Sequence, residues 1–112
     1  MVQSGCPVGD GTGTPGYRIE VEARGQDAVE LAQPGALALA RYTVPPGRAD
    51  PSPPPPGHVI GSQFAITLVD MRHLAGQVSV IGRCQDLDVV RRISQWVGGS
   101  HERVVLRRIR VE

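Results

Sequence analysis

Between Gln77 and Val97 the hydrophobic period of this chain changes from two to between three and four, and this change restricts the fold more than any other feature. Val78, Val80, Gly82 and Cys84 fall on one side of a pleated strand, with Gln77, Ser79, Ile81 and Arg83 on the other. From Asp86 the apolar positions become Leu87, Val90, Ile93 and Val97, with Val89 and Trp96 widening the stripe. Asp86 suits the start of a helix, where its carboxylate accepts free backbone N–H groups, and Asp88 adds favourable negative charge. Gly98 supplies the residue that tolerates the positive φ common at helix ends. The pattern predicts a strand over Gln77–Cys84, a helix over Asp86–Val97 and, from its β-branched residues, a strand over Arg103–Val111. If the last two strands lie parallel in one sheet, the helix crossover between them should be right-handed, with an antiparallel arrangement elsewhere in the sheet as the alternative.

Upstream, residues 1–16 are rich in Gly, Ser, Thr and Pro and offer little to bury, so they read as a flexible tail. Gly9, Gly11 and Gly13 lack the following Gly-Lys-Ser/Thr of a phosphate loop and the preceding strand of a dinucleotide site. In Tyr17–Arg24, Tyr17, Ile19, Val21 and Ala23 alternate with Arg18, Glu20, Glu22 and Arg24, the signature of a half-buried strand. Residues 26–33 read as two helical turns with Val29, Leu31 and Ala32 on the apolar side, or else as a loop with a strand fragment. Ala36–Val44 is apolar on both faces until Arg41, as a central or doubly covered strand is. A stiff connector over 45–57 follows, containing Pro51, Pro53, Pro54, Pro55 and Pro56. His58–Asp70 reads as a long strand, with Ile60, Phe64, Ile66 and Leu68 on one face and Gly61 at a bulge. The expectation is one α+β domain over 17–112, with a five-stranded mixed sheet and one well-signalled helix in the order β-(α)-β-β-β-α-β. The alternative is a β-sandwich.

Fifteen Val, seven Leu, six Ile and one Phe make 29 strong core formers among 112 residues, enough to place the chain among folded domains. All 12 basic residues are Arg, and Lys and Asn are both absent. Both missing residues have A-rich codons, so a GC-rich genome accounts for the pattern. Net charge is +1; residues 1–82 carry five Arg against seven acids, and 83–112 carry seven against four. Met1–Cys6 lacks the basic start and apolar run of a signal peptide, and no window has the apolar length of a membrane span. A cytoplasmic protein, or one within a phage particle, is expected.

Arg91, Arg92, Arg107, Arg108 and Arg110 are the candidate binding residues, a basic surface for phosphates or an acidic partner if the last strand lies beside the helix. Four aromatics, none interleaved with these arginines, argue against base stacking. His58, His73 and His101 show no metal-ligand spacing, and Cys6 and Cys84 form no disulfide framework. Cys84 with His73 or His101 would make a nucleophilic pair, but Asp86 and Asp88 oppose a thiolate there. No catalytic residue, metal or cofactor is assigned. The sequence reading is therefore a non-enzymatic protein-binding or assembly module, such as a subunit of a bacterial or phage assembly, with a protein partner or homo-oligomer. Arginine-mediated nucleic-acid binding and a small Cys/His enzyme are the alternatives.

Overall fold

The computed structural model describes residues 1–10, 13, 15–22, 24–41, 58–97 and 107–110. The proline connector at 45–57, the glycine stop after the helix, and 103–106 and 111 of the expected last strand lie outside these residues. The chain runs β1 (Val2–Ser4), β2 (Arg18–Glu20), α1 (Asp27–Leu31), β3 (Ala36–Arg41), β4 (His58–Ile66), a 3₁₀ turn (Arg72–Leu74), β5 (Ser79–Arg83) and α2 (Leu87–Val97). It is an α+β domain with a five-stranded sheet, as the sequence indicates, and helical α2 removes the β-sandwich alternative.

Strand direction and identity differ from the expectation. Every pairing among the described residues is antiparallel: β3 lies between β4 and β5, while β1 and β2 both pair with the other edge of β4. The fifth strand is β1, from the stretch expected to be a tail, and residues 107–110 carry no regular secondary structure. Three residues suffice for β1 because Val2, Gln3 and Ser4 oppose Ile66, Ala65 and Phe64 in continuous register. Gly5 then takes φ +87°, and a Cβ there would collide with the Ser62 carbonyl oxygen, so the chain leaves the sheet through a position closed to side chains. The clearest alternation in the sequence, at Tyr17–Arg24, yields only the three residues of β2, and Tyr17 and Ile19 stay exposed. Tyr17 instead lays its ring over Gly61, where any Cβ would strike it.

Cross-strand neighbours share a face, which fixes the layers. One face carries Ala36, Ala38, Val78 and Val80, and α1 covers it with Leu31; Met71, Leu74 and Ala75 around the 3₁₀ turn close its border. Leu31 is completely buried, whereas Val29, expected beside it, is exposed because five residues of helix present only a narrow stripe to the sheet. On the other face Leu37, Leu39, Phe64 and Ile66 are half-buried. In α2, Val90 is buried and Leu87 half-buried, but Val89 and Trp96 are 50% and 57% exposed, so they do not widen the buried stripe.

Polar contacts tie these pieces together. The Thr67 hydroxyl accepts from Ala36 N at 3.0 Å, and the Arg83 guanidinium bonds Glu30 Oε2 at 2.7 Å and the Pro34 carbonyl at 2.8 Å. The 3₁₀ turn is opened by Asp70, whose carboxylate accepts from Arg72 N at 3.0 Å and pairs with the Arg72 guanidinium at 2.6 Å.

Leu31→Ala is expected to lower the unfolding free energy by about 2–5 kcal/mol in urea melts, while Val29→Ala stays within about 0.5 kcal/mol. Equal effects would contradict the orientation of α1. The Arg72 side chain, donating to Asp70, holds that carboxyl below the ordinary carboxylate range. Its contribution to the turn is complete above the unfolded carboxylate pKa and disappears as pH falls through the lowered value. In an NMR titration, Arg72→Ala returns Asp70 upward to the ordinary range; an unmoved midpoint would show that the pair does not form in solution.

Candidate functional site

Four polar side chains are buried among the described residues: Asp27, Gln63, Thr67 and Ser79. A buried polar group is costly unless bonded, so each bond reports what the group is for. Asp27 accepts from Arg24 N, Thr67 from Ala36 N, and Ser79 from Glu22 N, each securing backbone. Gln63, 1% exposed, differs because it connects to a side chain at the surface.

Gln63 Nε2 donates to the Gly13 carbonyl at 2.8 Å, and its Oε1 accepts from Gln3 Nε2 at 2.7 Å. The polarity of this chain is fixed by its inner end. A carbonyl only accepts, so the Gln63 amide must turn its NH₂ toward Gly13 and its oxygen toward Gln3. Gln3 must then donate. Its Oε1 and second N–H stay available, since Gln3 makes no other side-chain hydrogen bond among the described residues, and the side chain is exposed. The site thus presents one amide at the surface, oriented by a second, buried amide and a main-chain carbonyl.

Three segments meet to build it. β1 sets Gln3 opposite Ala65, β4 places Gln63 two residues away on the same face, and the chain between Gly5 and Tyr17 brings in Gly13. Gly13 is itself buried and its N–H reaches Cys6 Sγ at 3.3 Å; a Cβ there would crowd Val8. Beside Gln3 a row of buried apolar side chains crosses three strands: Ala65 opposes Gln3, Ala38 opposes Ala65, and Val80 opposes Ala38. The site is an amide donor and acceptor at the surface, beside a row of buried apolar side chains.

The five candidate arginines lie elsewhere. Arg91 and Arg92 are exposed on α2, where Arg91 approaches Asp88 at 3.6 Å. Arg107, Arg108 and Arg110 are exposed in a stretch that forms no strand, so the alignment that would have set them beside α2 is missing among the described residues. Cys84 is half-buried and its thiol faces the Asp86 carbonyl at 3.6 Å, while His73 is exposed on the 3₁₀ turn. No three His, Cys, Asp or Glu groups among the described residues converge as metal ligands, and no helix among them is long and apolar enough to cross a membrane. Sequence reasoning missed Gln3 and Gln63. Gln3 sat in a presumed tail, and a glutamine in an alternating strand reads as outward-facing. The one available signal was its place two residues before Ala65 and four before Thr67, on what the structure reveals as the buried side.

All 112 residues match the family model described as cyclophilin type peptidyl-prolyl cis-trans isomerase. A peptidyl-prolyl cis-trans isomerase of Helicobacter pylori is 32% identical over 98 residues, covering 85% of this chain and 51% of that protein. Peptidyl-prolyl cis-trans isomerase B of Bacillus subtilis is 37% identical over 81 residues, covering 72% and 46%. A peptidyl-prolyl cis-trans isomerase of Synechococcus elongatus is 38% identical over 96 residues, covering 83% and 54%. No solved structure matches. The chain spans about half the length of the curated relatives it matches. These matches overturn the reading as a non-enzymatic assembly module, and with it the arginine-mediated nucleic-acid and Cys84–histidine alternatives. Rotating a peptide bond uses no nucleophile, metal or phosphate loop. The chain belongs to the cyclophilin-type peptidyl-prolyl cis-trans isomerase family.

Proposed function

We propose that this chain accelerates cis–trans isomerisation of Xaa–Pro bonds in protein or peptide substrates, with Gln3 as the residue that engages the substrate backbone. The observation that carries this reading is the exposed Gln3 amide, oriented through Gln63 by the Gly13 carbonyl. Membership of an isomerase family supports it.

The reaction makes and breaks no covalent bond. Its barrier, about 18–20 kcal/mol, is the resonance lost when the C–N bond twists out of plane. Unassisted, an Xaa–Pro bond takes tens to hundreds of seconds. In the planar state the nitrogen lone pair is delocalised into the carbonyl; at the twisted state it returns to nitrogen, which becomes a hydrogen-bond acceptor. A donor placed there stabilises the twisted state and leaves the planar state unaffected, the differential binding on which catalysis depends. The second N–H of Gln3 supplies such a donor, while its Oε1 accepts a peptide N–H and fixes register.

On a short Xaa–Pro peptide followed after a solvent jump, Gln3→Ala is expected to lower kcat/KM about ten-fold, equivalent to about 1.4 kcal/mol. Gln63→Leu should give a similar loss and also destabilise the fold by about 1–3 kcal/mol, because the buried Gly13 carbonyl loses its donor. An unchanged kcat/KM in Gln3→Ala would remove Gln3 from the mechanism, and absence of acceleration by the parent chain would remove the proposal.

A further inference from the structure

The hydrogen bonds that orient Gln3 continue beyond the two amides. Gly13, whose carbonyl turns Gln63, is held on its other side by a sulfur atom: its N–H donates to Cys6 Sγ at 3.3 Å. We propose that Cys6 is a positioning residue of the site, its sulfur closing a ring of hydrogen bonds that aims the Gln3 amide. The proposal rests on the isomerase reading for its effect on catalysis, and on geometry alone for its effect on Gln3.

The ring can be followed atom by atom. Gln3 Nε2 donates to Gln63 Oε1, Gln63 Nε2 donates to the Gly13 carbonyl, and the Gly13 N–H donates to Cys6 Sγ. Cys6 returns to Gln3 through Ser4 and Gly5 alone. That return is fixed against β4, because Gln3 and Ser4 pair with it and Gly5, at φ +87°, lies too close to the Ser62 carbonyl to carry a side chain. Gly13, by contrast, belongs to no helix or strand. A glycine has the least restricted backbone of any residue, so its carbonyl points where its hydrogen bonds direct it.

Gly13 is buried, and a buried N–H without an acceptor is costly. Without the sulfur, the N–H turns toward water and the carbonyl turns with it. Gln63 then loses the acceptor that fixes its polarity, and Gln3 loses the partner that decides which amide atoms face outward. The thiol is suited to this task. Its S–H faces Asp10 Oδ1 at 3.9 Å, which leaves the sulfur lone pairs for Gly13. Val8 Cγ2 and Cys6 Sγ would stand 2.8 and 3.2 Å from a Cβ on Gly13, so the place they define receives a glycine.

The test reads Gln3 directly, by NMR of the isotope-labelled intact chain, beside kinetics on a short Xaa–Pro peptide. The Gln3 side-chain protons resonate apart because one bonds Gln63 and the other faces solvent. Cys6→Ala is expected to shift both toward the values of an unbonded glutamine, and Cys6→Ser, which keeps an acceptor for Gly13 and a donor for Asp10, to restore them. Cys6→Ala should lower kcat/KM about five-fold, with most of the loss recovered in Cys6→Ser. Added to Gln3→Ala, Cys6→Ala should change kcat/KM less than about two-fold, because Cys6 acts through Gln3. Unmoved Gln3 resonances in Cys6→Ala overturn the proposal. So does an undiminished loss in the Gln3→Ala background, which would make Cys6 a support of the fold alone. If Cys6→Ala does not fold, the parent chain decides: a Gly13 amide that exchanges its hydrogen slowly upholds the bond to sulfur, and one that exchanges like an unstructured amide overturns it. Shifted resonances in a chain whose parent accelerates no peptide leave the ring standing and overturn the isomerase reading.

Discussion

The pairing of β3 with β4 is the constraint on which the rest of the structure depends. β4 is the longest strand among the described residues, nine residues, and it takes three partners: β3 on one edge, β1 and β2 on the other. One face of the pair receives Leu31 of α1 and the 3₁₀ turn, and the same face supports Gln63. The buried amide therefore belongs to the sheet's central pair, while the exposed amide belongs to a three-residue strand that exists only because β4 is there to pair with it.

That dependence explains what the residues disclosed. α2, β3, β4 and the turn before β5 were legible because each carries its own period or its own punctuation, as with Leu87, Val90 and Ile93 or the stop at Pro34 and Gly35. β1 was not legible, since Val2, Gln3 and Ser4 have no periodicity of their own and owe their structure to Ile66, Ala65 and Phe64 some sixty residues later. Tyr17–Arg24 failed in the opposite sense. Its alternation is regular, yet β4 has room for only three of its residues before the partner strand ends at His58. Local pattern specifies an element where the element is long; where pairing is short, the partner decides.

The site was illegible for a chemical reason as well. Side chains that act by hydrogen bonding leave none of the spacing signatures that metal ligands, nucleophiles or phosphate loops require. A glutamine pair sixty residues apart has no signature until Gln3 and Gln63 are seen in contact at 2.7 Å. The cysteines and arginines drew notice because their chemistry is conspicuous, but Cys84 serves the Asp86 carbonyl and Arg83 secures α1 to β5.

β1 and β2 occupy the same edge of β4, leaving Gly61, Ser62 and Gln63 between their registers. Residues 5–17 form a detour that departs from and returns to a single strand, and Gly13 closes it at one point inside. Such a detour has two compartments with different tolerance to evolutionary lengthening. Before Gly13 the chain passes Gly9, which faces open space, so added residues there would cost only loop entropy, about 0.6 kcal/mol per doubling of length. At Gly13 itself, where a side chain would crowd Val8 and Cys6, a shift by one residue would move a different carbonyl under Gln63. Descendants of this chain are free to vary the outward limb of the detour near Gly9, and the bond from Gln63 to the Gly13 carbonyl fixes the frame in which they do so.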